Sequence, residues 1–154
     1  MNHGPYVFGF VMLSSILIGC RTAPKIPAAD LAEPGWTLRQ GQAIWKPKKN
    51  AAEIAGELMV ATRTDGRTFV QFIKTPFPLA IAQTTSNLWE VQIPAQNRVF
   101  AGRGVPPARV AWLQLARALS GNAASDPWIL ERQGSQWRFQ NPRTGETLSG
   151  HFSE

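Results

Sequence analysis

The chain has 154 residues, 16 Lys and Arg against 10 Asp and Glu, and a formal charge of +6, a length that suits one domain with its own core. A single cysteine, Cys20, excludes a disulfide framework and a zinc site of the multi-cysteine type. The basic balance points to an anionic partner, either nucleic acid or a lipid surface.

Residues 6–18 form an uncharged, mostly aliphatic and aromatic run. A spanning helix takes about 20 apolar residues, and a shorter run reads as the core of an export signal. Small and polar residues (Ser14, Ser15, Gly19) gather at its end. Leu17-Ile18-Gly19-Cys20 resembles a bacterial lipobox. That likeness implies cleavage before Cys20 and diacylglyceryl and N-acyl chains on its new terminus. The expected division is a signal peptide over 1–19, a lipidated Cys20 with tether over 20–35, and a domain over 36–154. The tether reading rests on the proline- and alanine-rich "RTAPKIPAADLAEPG". Arg21, in place of an aspartate after the cysteine, favours the outer membrane by likeness to the usual sorting rule. All charged residues lie beyond Cys20, so the whole +6 belongs to the exported part. An anchored envelope protein does not meet nucleic acid, which leaves either anionic headgroups as partner or a solvated basic surface with no specific partner.

From Trp36 the pattern is that of strands: 36–46, 54–63, 67–74, 79–85 and 88–94. Asp65-Gly66 is a hairpin signal, and Ser86-Asn87 makes a second turn. In 67–74, Phe69 and Ile73 share one side and Val70 and Phe72 the other, as in a strand covered on both faces. In 88–94, Trp89, Val91 and Ile93 alternate with Glu90 and Gln92. The short "GRG" at 102–104 reads as a turn. Residues 106–122 predict a helix, with Pro107 in its first turn and Gly121 or Asn122 at its C-terminal cap. Its main apolar stripe is Ala108, Trp112, Leu115, Ala116 and Leu119. A smaller one, Val110 and Leu113, lies beside Arg109, Gln114 and Arg117. Residues 127–132, 135–141 and 147–153 complete the strands. The expected fold is α+β, mostly β: a curved antiparallel sheet or incomplete barrel of about eight or nine strands, with one amphipathic helix at its mouth.

Catalytic patterns are scarce. Ser149 and His151 share a strand face with no acid fixed beside them, and Glu53 and Glu57 form the closest carboxylate pair. A Walker loop, a nucleophile elbow and a dinucleotide fingerprint are all missing from the sequence, so the chain reads as a non-enzyme with no cofactor. Its abundant resource is apolar surface, including six tryptophans and eight phenylalanines. These either fill a core or line a greasy cavity.

The order of parts is similar to that of the lipoprotein-localisation carrier and receptor family (LolA/LolB-like). It is carried by the lipobox, the strands of "DGRTFVQFIKTPFPLAIAQTTSNLWEVQIP", an amphipathic helix and returning strands. The resemblance implies an incomplete barrel around a cavity for acyl chains, with the lipid-anchored outer-membrane receptor as the nearer likeness. If the apolar residues line such a cavity, the candidates are Phe72, Ile81, Trp89, Val91, Ile93, Trp112 and Leu113, none of them carried over from the family. Arg109 and Arg117 would meet a headgroup or partner. The implied partners are membrane lipid, acyl chains or lipoprotein cargo, and a periplasmic carrier. The alternative is a scaffolding envelope lipoprotein with a filled core and a protein partner.

Overall fold

A computed structural model of the chain describes residues 25–153; Cys20, with the rest of 1–24, and Glu154 lie outside the described residues. Alternation builds the strands, because side chains two apart share a face. The described residues form β1 (Trp36–Lys46), β2 (Ile54–Arg63), β3 (Thr68–Lys74), β4 (Phe77–Thr84), β5 (Leu88–Ile93) and β6 (Arg98–Arg103). These are followed by α1 (Ala111–Leu119), β7 (Ile129–Gln133), β8 (Gln136–Asn141) and β9 (Glu146–Phe152). All nine strands make one curved, unclosed sheet in the order β6-β5-β4-β3-β2-β1-β9-β8-β7, antiparallel throughout. The mostly-β architecture expected from the sequence is therefore present.

Two elements differ from the pattern reading. Residues 98–103 are a strand, not the approach to a turn. Gly102 sits inside that strand because the ring of Trp89, its cross-strand partner, covers the place where a Cβ would stand. Gly104, with φ of 76°, takes the turn instead. The helix also begins at Ala111, so Pro107 is not in its first turn. Val110 is extended, and the carbonyls before it are taken. Pro107 O accepts from Val110 N at 3.1 Å and from Gln114 Nε2 at 3.2 Å. Ala108 O accepts from Trp128 Nε1 at 2.6 Å. A loop pinned in this way cannot wind into a helical turn.

The C-terminal end behaves as the sequence indicates. Gly121 adopts φ of 89°; Asn122 N donates to Arg117 O and Gly121 N to Ala118 O, both at 3.2 Å. This pair of bonds is a Schellman cap.

Alpha-helical residues fill the hollow of the sheet. Eight of the nine residues of α1 are buried, leaving only Arg117 outside. They pack on the inner faces of β2, β3, β4 and β5, which present Leu58, Val60, Val70, Phe72, Ala80, Ala82 and Val91. Trp112 stacks on Phe72 at 5.4 Å and meets Trp45 edge-on at 5.2 Å. Phe139 and Leu148 extend the same core into β8 and β9.

Candidate functional site

The inner wall of the sheet is apolar and changes in exposure along its width. Phe72, Val91, Trp112 and Leu113 are buried in the core. Trp89 and Ile93 lie half-buried at its margin, packed against it. These six residues therefore form one apolar unit of wall and helix. Ile81 does not join them: Ala80 and Ala82 occupy the inner face of β4, so Ile81 points to the outer one. Arg109 and Arg117 stand at opposite ends of α1, both exposed, and do not form one cluster.

Beyond β5 the wall runs out to a free edge. Phe100 pairs with Val91 and so faces inward, yet it is 51% exposed. Val99 on the outer side is 62% exposed, and Val105 just past the strand is 85% exposed. Seven large apolar side chains are exposed among the described residues; the other four are spread over β1, β4 and β7. Arg98 and Arg103 terminate β6 and are exposed as well. Reading 102–104 as a turn conceals this edge. The alternation of Arg98, Phe100 and Gly102 against Val99, Ala101 and Arg103 is the signal that reveals it.

The outer face carries its own cover. Residues 25–35 cross β2 to β5 as a strap. Ile26 is buried; its N–H donates to Glu90 Oε2 at 3.2 Å, and its carbonyl accepts from Gln83 Nε2 at 3.4 Å. Glu90, itself buried, also accepts from Gln92 Nε2 at 2.6 Å. At the other end, Glu33 pairs with Arg63 and Arg67, whose guanidinium groups lie over the ring of Trp36. These arginines hold the Glu33 carboxyl below its ordinary range, Arg63 foremost.

Helix α1 ends against two arginines. Arg132 donates to the carbonyls of Ala118 and Leu119, and Arg39 Nη1 donates to Leu119 O at 3.4 Å. Positive charge suits the negative end of a helix. Burial and then the neighbouring Arg39 push the Arg132 pKa down.

A concavity of about 750 Å³, with more apolar than polar surface, opens on the outer face of β1, β9, β8 and β7. Gln42, Glu131, Gln136, Arg138, Ser149 and His151 line it. Ser149 and His151 thus share a face with Glu131. Among the described residues no group of three or more His, Cys, Asp and Glu is placed to hold a metal ion, and no helix is long and apolar enough to cross a membrane. Comparison with protein-family models and with curated proteins finds no match for the chain.

Proposed function

We propose that the chain is an envelope lipoprotein, anchored through lipid on Cys20 at the periplasmic face of the outer membrane, whose half-barrel takes up acyl chains. The cargo is free lipid or the acyl chains of a lipoprotein handed over by a periplasmic carrier. One observation carries the reading: an apolar inner wall, continuous from the core to an open edge at Phe100, is filled by a single helix rather than by barrel closure.

The chemistry needs no catalytic group. An acyl chain of 16 carbons gains on the order of 12 kcal/mol from burial, at about 0.8 kcal/mol per CH₂. Trp112, Leu113, Leu115 and Leu119 gain about 1.5–3 kcal/mol each from the same wall. The two occupants are of similar worth, so exchange between helix and acyl chain is reversible, as transfer requires.

A filled core serving as a scaffold is the second reading, favoured by the complete burial of Phe72, Leu115, Phe139 and Leu148. A fluorescent fatty acid added to residues 21–154 separates the two. Acyl uptake predicts saturable binding, displaced by palmitate, and faster in Leu115→Ala because the helix leaves more readily. The scaffold reading predicts no binding in either protein and a stability loss of about 2–5 kcal/mol in Leu115→Ala. Absence of saturable uptake by both proteins rejects the acyl-binding reading.

A further inference from the structure

We infer that the β6 edge is the surface this protein lays on an anionic bilayer, and that the strap sets this orientation. The inference rests on the anchor at Cys20 but not on acyl uptake. Its starting point is where the described chain begins. Going backward from Glu33, the strap runs from the β2–β3 hairpin to Ile26 on Glu90 of β5. Ala101 of β6 pairs with Glu90, so Ile26 lies one strand from the free edge. Ile26 is six residue steps on from Cys20, and an extended chain covers at most about 3.3–3.6 Å per residue. The lipidated terminus therefore lies within about 20 Å of Glu90. A free linker over 20–35 would leave the domain able to tumble. A strap docked at both ends leaves only a short leash.

What the leash brings to the bilayer suits it chemically. Val99 and Phe100, on the two faces of β6, and Val105 just past it are exposed large apolar side chains close together along the chain. Arg98 and Arg103, both exposed, terminate the same strand, and the sequence has no acid between Glu90 and Asp126. Aromatic and aliphatic groups beside unpaired-sign cations match a headgroup boundary, with the rings at the acyl margin and the guanidinium groups on phosphate. The edge backbone is also harmless there, because headgroups and water satisfy its free N–H and C=O groups, whereas the hydrocarbon interior would not. This orientation turns the open side of the half-barrel, at Phe100, toward the lipid.

The test uses the full chain, exported and lipidated in a bacterial envelope, then reconstituted in vesicles of phosphatidylethanolamine and phosphatidylglycerol. Lipid occupies Cys20, so Val99→Cys or Ile129→Cys supplies the sole thiol for an environment-sensitive dye; Ile129 lies on β7, the opposite edge. The expected result is a blue shift and loss of iodide quenching at 99, with a water-like dye at 129. Replacing phosphatidylglycerol by phosphatidylcholine weakens the shift at 99. Ile26→Asp combined with Glu33→Lys abolishes it while the protein still floats with vesicles. A water-like dye at 99 on floating protein overturns the orientation and leaves the anchor standing. A shift at 99 that survives strap release overturns the role of the strap. Protection at 99 without vesicles means that another protein strand covers the edge and likewise overturns the proposal. Protein that does not float at all overturns the anchor and this inference together, with acyl uptake still open to its own assay.

Discussion

The pairing of Trp45 with Glu146 shows how one residue's environment sets its chemistry. Trp45 Nε1 donates to Glu146 Oε1 at 3.0 Å. Burial raises the Glu146 pKa, and the tryptophan hydrogen bond only partly opposes it. A carboxyl with a raised folded-state pKa is easier to protonate in the fold than in the unfolded chain. Its ionisation therefore costs stability as pH rises from the unfolded value through the folded one, and the cost is complete above that. Glu146→Gln keeps an oxygen for Trp45 and removes the charge. It is expected to stabilise the protein at pH 7 by less than about 1 kcal/mol, since the site is partly solvated. The gain should vanish below about pH 4, the unfolded carboxyl range, which urea midpoints measured across pH will show. None of this is readable from the sequence, because 101 residues separate the partners. Phe72 and Val70 show the opposite case: period two alone placed them on one face, and both are buried on the inner wall. Ile81, two residues before Gln83 on the outer side, was open to the same alternation against Ala80 and Ala82. Its neighbours are too small to mark which face is the core.

At the scale of elements, hairpins are legible and docking is not. Asp65-Gly66 announces the β2–β3 turn, where Gly66 takes φ of 87° and Asp65 Oδ1 accepts from Arg67 N at 3.1 Å. The prolines and alanines of 25–35 describe a segment without periodicity, but say nothing of Ile26 meeting Glu90 across 64 residues. The strap's two ends differ in kind. Ile26 is buried and hydrogen-bonded, whereas Glu33, Arg63, Asp65 and Arg67 form an exposed ionic cluster. Salt at about 1 M shortens the Debye length to about 3 Å and weakens such a cluster. The carboxyls of Glu33 and Asp65 titrate below their ordinary values. Their contribution is thus present above the unfolded carboxyl pKa and lost as pH falls through the depressed folded one. Protection factors, taken against the intrinsic exchange rate at each pH, should fall at residues 30–35 in high salt or at low pH, while the Ile26 amide and β2–β4 keep their protection. Unchanged protection factors at 30–35 under both conditions would show that the ions do not hold the strap.

The whole molecule is joined at one seam. Strands β1 to β6 follow one another as a meander, and β7 to β9 as another; only the β1–β9 pair unites them within the sheet. Helix α1 packs on the first set, and Trp128, Phe139 and Leu148 bring the second into the same core. The sequence reveals each meander through local turns, but not the seam, whose partners stand about a hundred residues apart. Two glycines permit it. Gly41 pairs with Phe152 and Gly150 with Ala43, flanking the Gln42–His151 pair. A Cβ on Gly41 would strike the His151 carbonyl, and one on Gly150 the Gln42 carbonyl. Backbone on both sides leaves no flexible side chain to give way. Gly150→Ala is therefore expected to cost about 1–3 kcal/mol, in the range of core overpacking rather than of surface change. Its signature is spatial. Amides of 41–46 and 147–152 should lose protection before those of β2 to β4, because the lesion parts the two meanders without touching the α1 contacts. A denaturation midpoint equal to wild type would mean that the strands slide apart at no cost, and that the core across Phe139 and Leu148, not the seam, holds the halves together.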